Sequence, residues 1–439
     1  MVNKSHNLHQ TAKSHLSSFA PLSLRQNFSW TFAGNLVYAA SQWGLLVVFA
    51  KFGTPEMIGQ FALALAMTTP IILFANLSLR AVQATDARQE YQFGDYLGLR
   101  LLTILLAGFI IIGIIFLSDY GQETKLVILF IGLSKSFEAI SDIIFGLLQQ
   151  QERMDRIAKS LMIEGTVTLA VVTIIIWLTH SIVLGVAGLA IVWGLQLILY
   201  DLPSAALIIR ARYPDKNIWS LLRPRLNFRI TRGLVWLALP LAFVAGLGSL
   251  SVQLPRLALE RFEGQYELGI FAAIASVGTI FTMITIALSG SALPRLAQLF
   301  VLEQYEHFGK LVMRLVGIGT IIGVIGIIGS LIWGRVFLSI VYTEEYAIFT
   351  DVFIVIVINA GVTAALNFFG TALSATQQFT VQVPIHILKF LVVGISLYLL
   401  IPYWGILGAA CAVLAGSLVS GCAYGFILWR TLHRSQRKL

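Results

Sequence analysis

Charge is what this 439-residue chain has least of: charged side chains make up 12% of it, against 57% hydrophobic residues and a mean hydropathy of +0.84. A soluble domain carries an apolar share of about 45 to 50%, so a water-soluble globular fold is excluded. Cysteine is nearly absent. Cys411 and Cys422 are the two, and about 16 Å of helix axis separates them, which excludes a bridge between them. No G-x-x-x-x-G-K-[ST] loop occurs, since Gly309-Lys310 lacks the earlier glycine and the following hydroxyl that cradle phosphates. H-E-x-x-H, G-x-S-x-G and clustered Cys/His spacings are missing too. The reading is therefore of a non-enzyme with no catalytic residue, no metal site and no organic cofactor. Residues 1–24 hold Lys4, Lys13 and several His and Ser but no apolar core of signal-peptide length. The first apolar segment is expected to serve as its own insertion signal.

What the chain does have is long apolar runs, near residues 29–50, 57–79, 99–118, 126–148, 161–179, 183–209, 233–254, 267–292, 311–333, 346–374, 384–402 and 404–429. Each approaches the 20 or so residues that cross a bilayer as a helix, which predicts an all-α polytopic membrane protein of about twelve spans. The net charge of +9 invites a nucleic-acid reading, and placement removes it. With both termini cytoplasmic, 23 of the 30 Lys and Arg fall on the inner side, and only Lys51, Lys125, Arg256, Arg261 and Arg335 on the outer side. Lys135 and Lys389 lie within spans. The asymmetry follows the positive-inside rule: the basic residues report orientation in a cell inner membrane, and no nucleic-acid partner is expected.

The chain also repeats itself. Lys51 to Ala62 (KFGTPEMIGQFA) recurs 210 residues later as Arg261 to Ala272 (RFEGQYELGIFA). Phe93-Gly94 and Arg100 are echoed by Phe308-Gly309 and Arg314, and Gly185, Gly188 and Ala190 by Gly405, Gly408 and Ala410, so the offset drifts from 210 through 215 to 220. Six spans separate each element from its copy, which makes the halves parallel repeats about an axis along the membrane normal, a transporter design. The expected organisation is a cytoplasmic tail at 1–28, a six-helix lobe at 29–209, a basic linker at 210–232, a second six-helix lobe at 233–430 and a basic tail at 431–439. The two lobes are expected to enclose a central cavity. The linker holds seven cations and the amphipathic stretch Ile218 to Leu222, which suits either the anionic inner leaflet surface or a solvated connection. All outer loops are short, the longest running from about Pro255 to Tyr266, which leaves no room for an outer catalytic domain.

Within the apolar runs the polar residues are few and patterned. In the fourth span Lys135, Glu138, Asp142 and Gln149 share one narrow helical face. An ionised group at the bilayer centre costs at least about 2.5 to 3.5 kcal/mol, so the face should meet water or a partner helix. One reading makes Lys135 an anion ligand, with Glu138 and Asp142 as ion-coupling carboxylates for a proton or sodium ion. The other is a structural network in which Lys135 and Glu138 neutralise each other at i and i+3. Thr31, Asn35, Tyr38 and Gln42 stripe the first span, and Asn359, Thr363, Asn367 and Gly370 the tenth. Both stripes suit sugar contact or helix-to-helix hydrogen bonds. Arg80, Arg100, Arg314 and Lys389 add cations near span ends, where snorkelling anchors are common, with Lys389 set deeper. Glu164 and Asp201 are further intramembrane acids. The substrate-binding candidates are Lys135, Asn35, Arg80, Asn359 and Lys389.

These features resemble the polysaccharide transporter and O-antigen repeat-unit flippase branch of the multidrug/oligosaccharidyl-lipid/polysaccharide (MOP) flippase superfamily. The residues that carry the resemblance are Phe52-Gly53 with Ile58-Gly59-Gln60-Phe61-Ala62, then Leu77-Ser78-Leu79-Arg80, then Ala84-Thr85-Asp86-Ala87-Arg88. It implies movement of an undecaprenyl-diphosphate-linked oligosaccharide from inner to outer leaflet by alternating access. Its expected partners are that lipid-linked glycan, the bilayer and other polysaccharide assembly proteins. A diphosphate needs cations and a glycan needs amide and hydroxyl partners. The alternative within the superfamily is a cation-coupled multidrug exporter, whose site would favour acids and aromatics over lysine.

Overall fold

A computed structural model describes residues 22–86, 90–212, 217, 222–376 and 381–436. Most of the N-terminal tail, Ala87-Arg88, nearly all of the amphipathic linker stretch and the last three residues lie outside them. Among the described residues every regular element is a helix: α1 (Leu24–Phe52), α2 (Pro55–Ala75), α3 (Leu79–Thr85), α4 (Phe93–Leu117), α5 (Gln122–Gln150), α6 (Met154–Thr179), α7 (Ile182–Gln196), a π-turn (Leu197–Asp201), α8 (Leu202–Arg212), α9 (Phe228–Glu263), α10 (Gln265–Ser276), α11 (Gly278–Val301), α12 (Tyr305–Val341), α13 (Glu344–Ala347), α14 (Thr350–Ala375) and α15 (Gln382–Gln436). Ten stretches are long and apolar enough to cross a membrane. The longest, Gln382–His433, contains two of the expected spans, because Gly405 leaves helical geometry at φ 52° and ψ −128°. Three residues on, Gly408 packs against the Leu400 carbonyl, which only a chain reversal permits. The 29-residue α5 falls short of the apolar criterion because its charged face dilutes it. With α5 counted and α15 divided, the twelve expected helices are present in a multi-pass membrane protein. Its wide exposed apolar surface, as at Leu105, Phe109, Phe116 and Leu117 on α4, suits lipid as solvent.

By contact the chain divides into two compact units, one of residues 1–45 and 67–247 and one of residues 46–66 and 248–439. The division passes through α1, α2 and α9, whereas the expected lobes were drawn at span boundaries. In the first unit α5 is central, in contact with α3, α4, α6, α7 and α8. Apolar side chains of α4, α5 and the first half of α9 form one core, including Tyr96, Leu99, Ile143, Leu234 and Ala238. Those of α5, α6 and α8 form a second, including Ile144, Leu148, Ile157 and Ile208. α1 lies on α6 through small residues: a Cβ on Gly34 would stand 2.7 Å from the Ala158 Cα, and one on Gly165 3.0 Å from the Ser41 side chain.

In the second unit α14 is central, packed against α11, α12 and α15. Gly323 on α12 and Gly361 on α14 meet backbone to backbone, and an added Cβ on either would come within 2.8 Å of the other's Cα. Gly319 sits as closely on Ala365, a small-residue crossing of the kind membrane helices use. The duplicated segments also meet here. Gly59 has no space for a Cβ beside the carbonyl of Gln265, and Gly269 none beside that of Pro55. Pro55 and Gln265 each open a helix, and at the offset of 210 they are counterparts, as are Gly59 and Gly269. The contact is therefore reciprocal.

Candidate functional site

The charged face of α5 forms as the helical period requires, and the structure resolves it into two clusters. Toward the middle of the helix Lys135 Nζ donates to Glu138 Oε2 at 2.6 Å and stands 5.1 Å from the centre of the Trp193 ring on α7. The indole in turn donates to Thr168 Oγ1 on α6 at 3.1 Å. Lys135 keeps 18% of its side-chain surface exposed and Glu138 38%. Of the two readings of this face, the i, i+3 ion pair is present, and it leaves both groups partly exposed.

Two turns farther along α5, Asp142 holds two arginines. Its Oδ1 lies 3.4 Å from Arg80 Nη1 and its Oδ2 3.1 Å from Arg100 Nη2. Arg80 also donates to Gln149 Oε1 at 3.1 Å and lies over the Phe145 ring. Arg100 donates to Asn76 Oδ1, is fully buried, and leaves its Nε without a partner. The expectation that Arg100 would snorkel as an anchor is therefore corrected. A buried guanidinium requires a counter-charge, and Asp142 supplies it.

The local backbone explains how Arg80 arrives there. α2 stops at Ala75, and Leu77 and Ser78 both take left-handed angles, φ 50° and 48°. Such non-glycine conformations cost about 1–3 kcal/mol each and persist only where surroundings impose them. Here Asn76 is held by Arg100 and Leu77 is buried. The break re-aims the chain so that α3 carries Arg80 to Asp142. In the second half the counterparts of the break at the offset of 210, Ile286 to Leu288, lie inside the continuous helix α11, so the chain is not broken there.

A third polar group lies behind α5. Asp201 is fully buried and accepts 2.7 Å hydrogen bonds from Ser141 on α5 and Ser160 on α6. Its position follows from the sequence: Pro203 has no amide hydrogen and its ring displaces the carbonyl four residues back, and the ladder slips into the π-turn that ends at Asp201. Glu164, one turn beyond Ser160 on α6, is 4% exposed and its Oε1 has no partner.

The remaining candidates are bonded to neither cluster. Asn35 on α1 is exposed, and its amide donates back to the Thr31 carbonyl at 2.7 Å. In the second unit Asn359 on α14 has a buried Oδ1 without a partner, and Lys389 on α15 is half-buried beside Gly416. The structure thus joins Arg80 to Asp142 and Lys135 to Glu138. Sequence reasoning missed Asn76 and the burial of Arg100, although the unpaired acid at 142 was the signal that a cation from another helix had to reach it.

This arrangement, an all-helical scaffold with charged groups set among its helices, defines a multi-pass membrane protein with polar clusters inside it. Residues 24–300 match the model of the family described as polysaccharide biosynthesis protein. The chain is 31% identical to the capsular polysaccharide biosynthesis protein CapF of Staphylococcus aureus over 411 residues, 92% of this chain and 99% of that protein. The chain belongs to the polysaccharide biosynthesis protein family. Among solved structures it is similar to the lipid II flippase MurJ in an inward closed conformation, with TM-score 0.72, 12% identity, and coverage of 90% of this chain and 86% of that one. It is similar also to an inward-facing multidrug resistance MATE family transporter of the MOP superfamily, with TM-score 0.71, 14% identity, and coverage of 91% and 96%. The fold is the two-lobed, all-α fold of that superfamily.

Proposed function

We propose that the protein is a flippase that moves a polyprenyl-diphosphate-linked oligosaccharide from the inner to the outer leaflet of the cell inner membrane by alternating access. The observation that carries the reading is the similarity to a capsular polysaccharide protein along nearly the whole of both chains. It favours a capsule-type repeat unit over a lipopolysaccharide one. The fold shared with a lipid II flippase supports a lipid-linked cargo, whose tail can stay in the bilayer while the head crosses.

Arg80 and Lys135 are the cations placed to receive the diphosphate. Arg80 keeps 33% of its side chain exposed while Asp142 and Gln149 hold it in place, and guanidinium pairs with phosphate through directed hydrogen bonds. The further substrate-binding candidates are Lys389, a cation, and the amides of Asn35 and Asn359.

The test is a reconstituted vesicle assay of leaflet movement of a lipid-linked oligosaccharide without ATP. Lys135→Ala is expected to abolish movement while the protein stays in the membrane, and Lys135→Arg to retain part of it. Normal glycan movement by the alanine variant removes Lys135 from the site. Efflux of cationic dyes with no glycan movement establishes the drug-exporter alternative instead. Both termini are cytoplasmic in this reading, so a cysteine placed at Asn217, which is exposed, should react with an impermeant reagent only from the inner side.

A further inference from the structure

Away from the first turns of its helices, the first unit holds four acids around α5, and three of them have partners. Glu138 has Lys135, Asp142 has Arg80 and Arg100, and Asp201 has two serine hydroxyls. Glu164 is the exception. Ser160, Glu164 and Thr168 share one face of α6 at intervals of one turn, and the outer two are bonded to Asp201, Gln196 and Trp193. Between them the Glu164 carboxyl is buried with Oε1 unpartnered. The charged and titratable groups that act on it are Lys135 and Glu138 from α5, Asp201 from the π-turn after α7, and Tyr38 from α1. Lys135, the one cation among them, is already committed to Glu138.

A bare carboxylate without a donor or cation of its own, flanked by two more acids, is not sustained in a low-dielectric interior. Hard metal cations would need a ring of oxygen ligands, and among the described residues no three His, Cys, Asp or Glu side chains gather into one. A proton needs a single oxygen. We propose that Glu164 is a proton-exchange site: its carboxyl carries a proton while enclosed between α1, α5 and α6, and returns it to water when those helices part. The proton comes from solvent and goes back to solvent, so no other reactant is involved. The coupling role expected of Glu138 or Asp142 passes to Glu164 because their charges are already matched.

The link from this proton to transport rests on the flippase reading above, whereas the proton site itself does not, and the experiment separates the two. Infrared difference spectra of the full-length protein in lipid nanodiscs should show, at neutral pH, the C=O stretch of a buried carboxylic acid that is missing in Glu164→Gln and retained in Glu164→Asp. A band that persists in the glutamine variant overturns the proposal, whatever the protein transports. In vesicles, an imposed pH gradient should accelerate movement of a polyprenyl-diphosphate-linked oligosaccharide by the wild type several-fold and leave Glu164→Gln unchanged. Acceleration by a sodium gradient instead of a pH gradient, or an undiminished pH effect in the glutamine variant, overturns the coupling.

Discussion

The helix at the centre of each unit joins its neighbours by a different kind of contact. α5 in the first unit meets α3 and α4 through Arg80, Asp142 and Arg100. α14 in the second meets α12 through Gly361 and Ala365 set against Gly323 and Gly319. These helices are the fourth spans of two copies of one unit, so the contrast arose on a shared scaffold. Glycine crossings gain close backbone packing without polar groups and tolerate almost no added volume. Charged crossings need every partner, since a buried ion left alone is worse than no ion at all. The charged seam is in that sense a poor choice for stability, and its presence in only one copy fits a task performed by that copy.

The comparison can be broken most sharply at Asp142. Asp142→Ala would leave Arg100 buried without a counter-charge, and losing one partner of a buried pair costs about 3–5 kcal/mol. A wild-type unfolding midpoint for that variant in nanodiscs would mean that charge does not hold α5. Gly323→Leu should follow, at about 1–3 kcal/mol for overpacking a tight contact, seen as a lower midpoint in the same assay. The double change of Arg100→Met with Asp142→Leu replaces the pair by apolar volume. It should unfold closer to wild type than Asp142→Ala does, while vesicle transport falls with the loss of Arg80's support. The smallest effect is expected at Lys310→Ala. Its bond to Glu306 measures 2.5 Å, but both side chains are more than two-thirds exposed, and such pairs contribute little. A clear drop there would show that the second unit also depends on charge.

Much of this was legible in the sequence because lipid imposes strict rules. Apolar runs must be helices, and the twelve expected spans reappear, even where Gly405 and the charged α5 disguise two of them. The face of α5 was legible for the same reason, since a period of 3.6 fixes which residues share a side. The pairing was not. Arg80 reaches Asp142 only because α2 breaks at Asn76 to Ser78, in left-handed angles that no glycine announces. Glu164 could be seen as an intramembrane acid, but its isolation depends on which hydroxyls the neighbouring helices present. That is a property of packing between segments distant in sequence, which a periodicity along one helix does not contain.

The reciprocal seat of Gly59 on Gln265 and of Gly269 on Pro55 has a consequence for what a single chain can hold. A contact in which each side offers the same two elements, one glycine and one helix start, is self-complementary, the property that defines the interface of a twofold dimer. A half-length chain with only the first of these segments would carry both the knob and the socket, and a second copy of itself would fill them. One chain therefore carries both halves of a contact that two identical polypeptides could equally form. Within a single chain, unlike a homodimer, the two copies need not share a sequence, so buried ions can stand in one and glycine crossings in the other.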